Sequence, residues 1–339
     1  MKEGNWEKTL LRRLILDMHL GDWREEFFSK MSVDSIIENF KRAHINVAVI
    51  PTKNHWGFSL YDTKVGIKHP SIKGDMLRQF IERKQSAGIK IMAYFSIGWD
   101  VFALKKHPDW GQRSYFGTHI PLLTTYGYGA PWTLMCINNE YGAYCLKQIE
   151  EIASQYDVDG FWLDITFYPS IACYCKSCRR EFKKSHGKKI PAMDWEDPLW
   201  IEFMKWKGQI LVDFFSRSIE LAKRYNNQSK ITFNLPPLDA IPLTGINFKL
   251  TQQTKMMDYV ASEVHYDMYG TLASSFEARF NRAIGNGSVE LLFSRFTSGW
   301  DWGLKPSTQL IAEFASALSN GAAVLVIDHV YPDGSTEPI

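Results

Sequence analysis

Residues 159–164 read Asp159-Gly160-Phe161-Trp162-Leu163-Asp164, a short apolar strand that ends by delivering a carboxylate beside an indole. In a parallel barrel the C-terminal strand ends open into one mouth, so an acid in that position points to chemistry. Working outward from this stretch, β-rich runs recur at 14–18, 47–51, 90–96, 158–164, 230–235, 259–264, 289–293 and 323–327. Most are continuous apolar runs, as expected of parallel strands covered on both faces.

Helical patterns separate them. Residues 32–43 open with a Ser-x-x-Ser start and carry Ile36, Ile37 and Phe40 at helical spacing, and 75–87 end at Gly88 just before the next strand. Residues 140–156 and 306–319 repeat the pattern, the latter opening with Pro306 and closing near Gly321. Eight strands alternating with helices predict an α/β fold, a (β/α)8 TIM barrel.

At 339 residues the chain can bury a sizeable core. No Pro/Gly/Ser-rich linker divides it, so residues 1–339 are expected to form a single catalytic barrel domain. Two spans exceed ordinary connections: a Gly- and Tyr-rich loop insertion within 100–137, on the catalytic face, and a Cys-containing helical insertion at about 168–227. The sequence ends after the eighth strand run, which leaves no final helix. Either another element closes the barrel or the chain is a piece of a longer protein with a downstream domain. Subunit contacts in a homo-oligomer are plausible on the same ground.

A formal charge of +2 with mixed acids and bases argues against nucleic acid as partner. No run approaches the roughly 20 apolar residues of a membrane span. Arg12 and Arg13 lead straight into a strand carrying Asp17, unlike a secretory leader, so a cytoplasmic location is expected. The chain holds 12 Trp and 15 Tyr, many at strand ends or in loops, where aromatic faces suit the C–H faces of sugars.

Polar residues gather at the same end of the strands: Asp17 and His19, then Lys53, Asn54 and His55, then Tyr94, Asp164, Asn234, Glu263 and Arg295, with Trp300 beyond. Two carboxylates from different strands, aromatic walls and no cofactor motif suit glycoside hydrolysis, in which one carboxylate attacks the anomeric carbon and the other protonates the leaving oxygen. Asp164 and Glu263 are the natural catalytic pair, with Asp164 ionised and Glu263 protonated before the first step. A carbohydrate is then the partner, and no cofactor is required for catalysis.

Residues 49–64, Val-Ile-Pro-Thr-Lys-Asn-His-Trp-Gly-Phe-Ser-Leu-Tyr-Asp-Thr-Lys, resemble the Lys-His-His-Asp-Gly-Phe segment of glycoside hydrolase family 29 alpha-L-fucosidases and its Leu-x-Asp-Ser/Thr-Lys continuation. His19-Leu20-Gly21 resembles that family's His-Trp-Gly, Tyr94-Phe95-Ser96 its Tyr-Tyr-Ser, and residues 159–164 its Asp-Gly-x-Trp-x-Asp. Asp258-Tyr259 followed by Glu263 is similar to its Asp-Tyr-x-Thr-Pro-Glu. Trp302-Gly303-Leu304-Lys305-Pro306 and Tyr331-Pro332-Asp333-Gly334 resemble its closing motifs. The resemblance implies a retaining exo-glycosidase with Asp164 as nucleophile, Glu263 as acid/base, and His19, His55, Tyr94 and Trp162 holding the sugar; Lys53, Asn54, Asn234, Arg295 and Trp300 are further candidate sugar contacts. Asn54 stands where the family has the first His of its pair, and Ser262 replaces the Pro before the acid/base. A relative such as family 151 or a neighbour of it fits better than a central member.

Cys173, Cys175 and Cys178, with Cys136 upstream, offer four thiols for a tetrahedral ion. They resemble the zinc cluster of family 42 beta-galactosidases, which implies a structural Zn; the alternative is four reduced thiols in a packed loop. Family 42 is also the enzymatic alternative, but it carries Asn-Glu after strand four, where this chain has Ile165-Thr166. A carbohydrate-binding barrel without catalysis is the non-enzymatic alternative. His69, His107, His265 and His329 carry no assigned role.

Overall fold

The structure is a computed structural model that describes residues 3–120, 132–236, 248–264, 266, 270–297 and 303–336. Trp300, Trp302, His265 and the stretch 121–131 of the expected covering loop lie outside the described residues.

Eight parallel strands form the barrel: β1 (Arg12–Asp17), β2 (Val47–Lys53), β3 (Lys90–Ser96), β4 (Gly160–Asp164), β5 (Lys230–Leu235), β6 (Val260–Glu263), β7 (Val289–Ser294) and β8 (Ala323–His329). Each pairs with its sequence neighbour, and β1 pairs with both β8 and β2, so the sheet closes without a free edge. The (β/α)8 expectation holds, and strand pairing itself closes the barrel. The strand bounds agree with the sequence reading to within two residues. The extension of β8 to His329 brings that residue onto the barrel.

The first four helices start where short polar side chains accept the first N–H groups. Ser32 caps α1 (Val33–Arg42), Asp75 caps α2 (Met76–Ala87), Asp100 caps α3 (Val101–Lys106) and Asn139 caps α4 (Glu140–Gln155). At the far end of α2, Gly88 takes φ 66°, a turn that glycine makes without a Cβ clash. The span 168–227 divides in two. The Cys loop and α5 (Lys176–His186) are additional, whereas α6 (Pro198–Tyr225) packs against α4 as the helix between β4 and β5. The ring continues with α7 (Leu250–Met256), α8 (Ala273–Ile284) and α9 (Ser307–Ser319). Among the described residues no helix is long and apolar enough to cross a membrane.

Alternation along β1 sends Arg13, Ile15 and Asp17 into the barrel. The lowest layer is polar and closed. Arg13 Nη1 donates to Glu290 Oε2 at 2.8 Å, Trp162 Nε1 donates to Glu290 Oε1 at 2.8 Å, and the guanidinium lies 4.8 Å from the Tyr259 ring centroid. Ile15, Val49, Met92, Leu292 and Leu325 pack around it inside the barrel. Both charges of the Arg13–Glu290 pair are fully enclosed, so removing one strands the other. Glu290→Ala should lower the unfolding free energy by roughly 3–5 kcal/mol, measured by urea unfolding, and Arg13→Met in the same chain should restore part of it.

Candidate active site

The uppermost inward positions of six strands meet at the mouth: Asp17 (β1), Tyr94 (β3), Asp164 (β4), Asn234 (β5), Glu263 (β6) and His329 (β8). His19 and His55 come from the loops after β1 and β2.

Asn234 Nδ2 donates to Asp164 Oδ1 at 3.0 Å and to Glu263 Oε1 at 2.7 Å. The two hydrogens of one amide nitrogen diverge by about 120°, so their acceptors stand roughly 5 Å apart. Asp164 Oδ1 also accepts from Ile165 N at 2.9 Å, and its Oδ2 accepts from Tyr94 OH at 2.6 Å. These donors favour the carboxylate, but burial and the neighbouring Glu263 outweigh them, and the Asp164 pKa is pushed up to about 6.

Backbone geometry fixes where Asp164 points. Ile165, a β-branched residue, takes φ 55°, a strained value for its type. The β3 loop closes over it at Gly98, where a Cβ would lie 1.9 Å from Ile165 O. Ile97 N donates to Asp164 O at 2.9 Å, which ties the two strand ends together.

The imidazoles of His19 and His55 stack with centroids 3.5 Å apart and planes 7° from parallel. His55 N donates to His19 Nδ1 at 3.2 Å, so neutral His19 carries its proton on Nε2, which lies 3.4 Å from Tyr94 OH. Burial, and then His329, pull the His19 pKa down to about 3. Burial lowers His55 as well, with His19 and Lys53 adding to the effect. Both rings are therefore neutral donors and acceptors at ordinary pH. His55 Nδ1 lies 2.8 Å from Ser96 Oγ, and Trp99 and Trp132, stacked at 4.8 Å, flank the His55 ring. The indole N–H groups of both tryptophans are buried without a hydrogen-bond partner.

His19, His55, Tyr94, Asp164, Asn234 and Glu263 are thus brought together, and four other expected sugar contacts are not. Lys53 is fully buried, its Nζ 2.9 Å from Asp100 Oδ2 and donating to Ser96 O and Tyr141 OH. A register slip between Pro51 and Lys53 turns this side chain onto the outer face of β2, against Phe95 and α4. Asn54 is also enclosed. Its Nδ2 donates to Met18 O and Leu20 O, and its Oδ1 accepts from Trp56 N and Phe58 N, so it braces two loops. Trp162 sits one layer below the acids, bonded to Glu290 and stacked under Tyr94 at 5.6 Å. Arg295 lies at the rim of β7 with Nε 2.9 Å from Asp328 Oδ1. The sequence reading put Asp17 at the mouth without a role of its own, and gave none to His329, Trp99 or Trp132. Period-two alternation from Arg13 was the available signal for Asp17.

The Sγ atoms of Cys136, Cys173, Cys175 and Cys178 all lie within 4.8 Å of one another. The Cys136–Cys178 and Cys136–Cys175 separations are both 3.7 Å. A tetrahedron with Zn–S bonds of about 2.3 Å has edges of roughly 3.8 Å, so the thiols fit that ion. Cys178 N donates to Cys175 Sγ at 3.5 Å, and Lys207 Nζ braces the loop by donating to Pro169 O and Ala172 O.

Residues 32–165 match the family model described as hypothetical glycosyl hydrolase 6. The matched stretch runs from the cap of α1 to the residue after Asp164. No curated protein matches the chain by sequence. Alpha-L-fucosidase isoenzyme 2 from Paenibacillus thiaminolyticus shares the fold at TM-score 0.75 and 20% identity, over 96% of this chain and 47% of its own. A beta-galactosidase from the psychrophilic Marinomonas ef1 does so at TM-score 0.66 and 11% identity, over 94% and 54%. Alpha-L-fucosidase AlfC from Lactobacillus casei, in complex with alpha-L-fucose product, matches at TM-score 0.55 and 14% identity, over 99% and 94%. The chain spans about half the length of the first two. The glycoside-hydrolase resemblance read from the motifs is borne out by the family model and by the shared fold.

An acid whose pKa rises on folding binds its proton more readily in the native state, so ionising Asp164 opposes folding as pH climbs from about 4 through 6. Asp164→Asn should therefore be more stable than wild type by about 3 kcal/mol near pH 7.5, a gain that fades by pH 4, in paired denaturant titrations.

Proposed function

We propose that the chain is a retaining exo-glycosidase that releases alpha-L-fucose from glycosides. The observation that carries this reading is the single Asn234 amide bonded to both Asp164 and Glu263. It sets a carboxyl separation near the roughly 5 to 5.5 Å that double displacement requires, well short of the 6.5 to 9.5 Å that leaves room for water in direct inversion. Ionised Asp164 attacks the anomeric carbon while Glu263 passes its proton to the departing oxygen. Glu263, now a carboxylate, takes a proton from water, whose oxygen displaces Asp164 and restores both groups. Neutral His19, His55 and Tyr94 would hydrogen-bond the sugar without adding charge.

The choice of fucose draws on the motif order along the chain and on two fucosidases among the structures that share the fold. A family 42-type galactosidase draws on the Cys cluster, but Ile165-Thr166 leaves no acid directly after Asp164 for that arrangement. The four thiols would hold a structural zinc ion that cross-links the β4 loop to the segment before α4, and a closed four-Cys site leaves no position for a catalytic water.

Wild-type protein should hydrolyse an aryl alpha-L-fucoside, and Asp164→Gly should lose on the order of 1,000-fold or more in kcat. Azide should rescue Asp164→Gly to a fucosyl azide of inverted configuration, and Glu263→Ala to one of retained configuration. A retained product from Asp164→Gly would overturn the assignment. Because Asp164 must be ionised to attack, kcat/KM should fall about tenfold per pH unit below an apparent pKa near 6. Protein purified without chelator should contain about one zinc per chain by elemental analysis, and Cys175→Ser should lose most of it; wild-type protein with less than about a tenth of an equivalent would rule the ion out.

A further inference from the structure

Asp17 ends β1 and enters the mouth, yet the double displacement has no step for it. It is only 7% exposed. Its Oδ1 accepts from His19 N at 3.2 Å and lies 3.4 Å from His19 Nε2. Its Oδ2 lies 3.6 Å from His329 Nδ1, across the β8–β1 seam where the two residues are in register. That distance is too long for a hydrogen bond, and no described residue hydrogen-bonds Oδ2. Burial, followed by the charges of Asp164 and Glu263, drives the Asp17 pKa well up, so its placement is unfavourable electrostatically.

The buried acid at the opposite end of the barrel is the contrast. Glu290 fills both oxygens, one with Arg13 and one with Trp162. Asp17 has no such structural return. A carboxyl oxygen at the mouth that no described residue hydrogen-bonds, with only the His329 ring 3.6 Å away, is open to a ligand group that completes it. A sugar hydroxyl suits this place because it both donates and accepts, and so pairs with Asp17 in either protonation state.

We propose that Asp17, framed by His19 and His329, binds one ring hydroxyl of the glycone and is a specificity-determining contact of the sugar site. The proposal rests on the glycosidase reading and adds to it a requirement for one particular hydroxyl.

The test compares wild type, Asp17→Ala and Asp17→Asn on an aryl alpha-L-fucoside and on its 2-, 3- and 4-deoxy analogues. Asp17→Ala should lose at least about tenfold in kcat/KM on the parent, the scale of a hydrogen bond to a charged group. On one of the three deoxy substrates that loss should shrink to under about twofold, since the partner hydroxyl is already gone. Asp17→Asn, which keeps an acceptor, should lose less. The same loss on all three analogues, or none on the parent, would overturn the proposal. If Asp17→Ala does not fold, judged by its thermal melt, Asp17→Asn carries the comparison with the same pattern required.

Absence of wild-type turnover on every fucoside would be a failure of the fucosidase reading instead. The judgement then passes to binding of fuco-, galacto- and gluco-configured iminosugars, followed by tryptophan fluorescence. A Kd at least about tenfold weaker in Asp17→Ala for the iminosugar that binds wild type would support the contact. Equal Kd values, or no binding to wild type, would overturn it.

Discussion

A single amide nitrogen holds the two acids of this mouth in one geometry. Asn234 gives one hydrogen to Asp164 and the other to Glu263, and two carboxyl groups at that spacing resist ionising together. The bridge serves only if both strand ends stay put, and the surrounding structure supplies that. Tyr94 fixes the second oxygen of Asp164, Ile165 holds a left-handed backbone directly after it, and Gly98 lets the β3 loop close down on that strained turn. The raised pKa of Asp164 follows from the same enclosure that orients it. Destabilisation and positioning are therefore one feature seen from two sides.

The barrel separates its polar groups by height. At the bottom, Arg13, Glu290 and Trp162 are bonded in series across three strands, and the carbonyls of Glu7 and Leu10 take further guanidinium donors. At the top, acids from β1, β4 and β6 face each other with no cation among the described residues bonded to Asp164, and burial keeps the stacked imidazoles of His19 and His55 neutral. An apolar layer lies between, so the upper acids gain little from the guanidinium below. Tyr94 bridges the layers, its ring resting on Trp162 and its hydroxyl on Asp164.

The fold was legible because continuous apolar runs, helix caps and glycine stops all agreed, and these are local signals. The two facing acids, Asp164 and Glu263, were legible as mouth residues because each closes an apolar strand. Lys53 and Asn54 misled because a motif reports sequence adjacency, while a register slip in β2 decided which way the lysine would face. No local pattern marks such a slip. Trp162 misled for a related reason: it lies two residues before the acid on the same face, one layer lower, where its indole bonds Glu290. His329 depended on how far β8 extends, which apolarity alone did not show.

The outer supports explain why a chain can depart from a motif and keep its site. Lys53 faces outward, but it still joins Asp100, Ser96 and Tyr141, and Ser96 in turn meets His55. Asn54 spans the loops that carry His19 and His55, so an amide holds those two imidazoles face to face from behind. The Cys loop does the comparable task for β4. Tyr168, four residues after Asp164, has its hydroxyl 3.3 Å from Cys136 Sγ and accepts from Asn138 N, which anchors the loop leaving the acid to the segment just before α4. Each support reaches the mouth through one intermediary. Changes in them should therefore act on the orientation of His19, His55 and Asp164 before they act on charge, and a sequence match at those positions is evidence about the frame more than about the sugar.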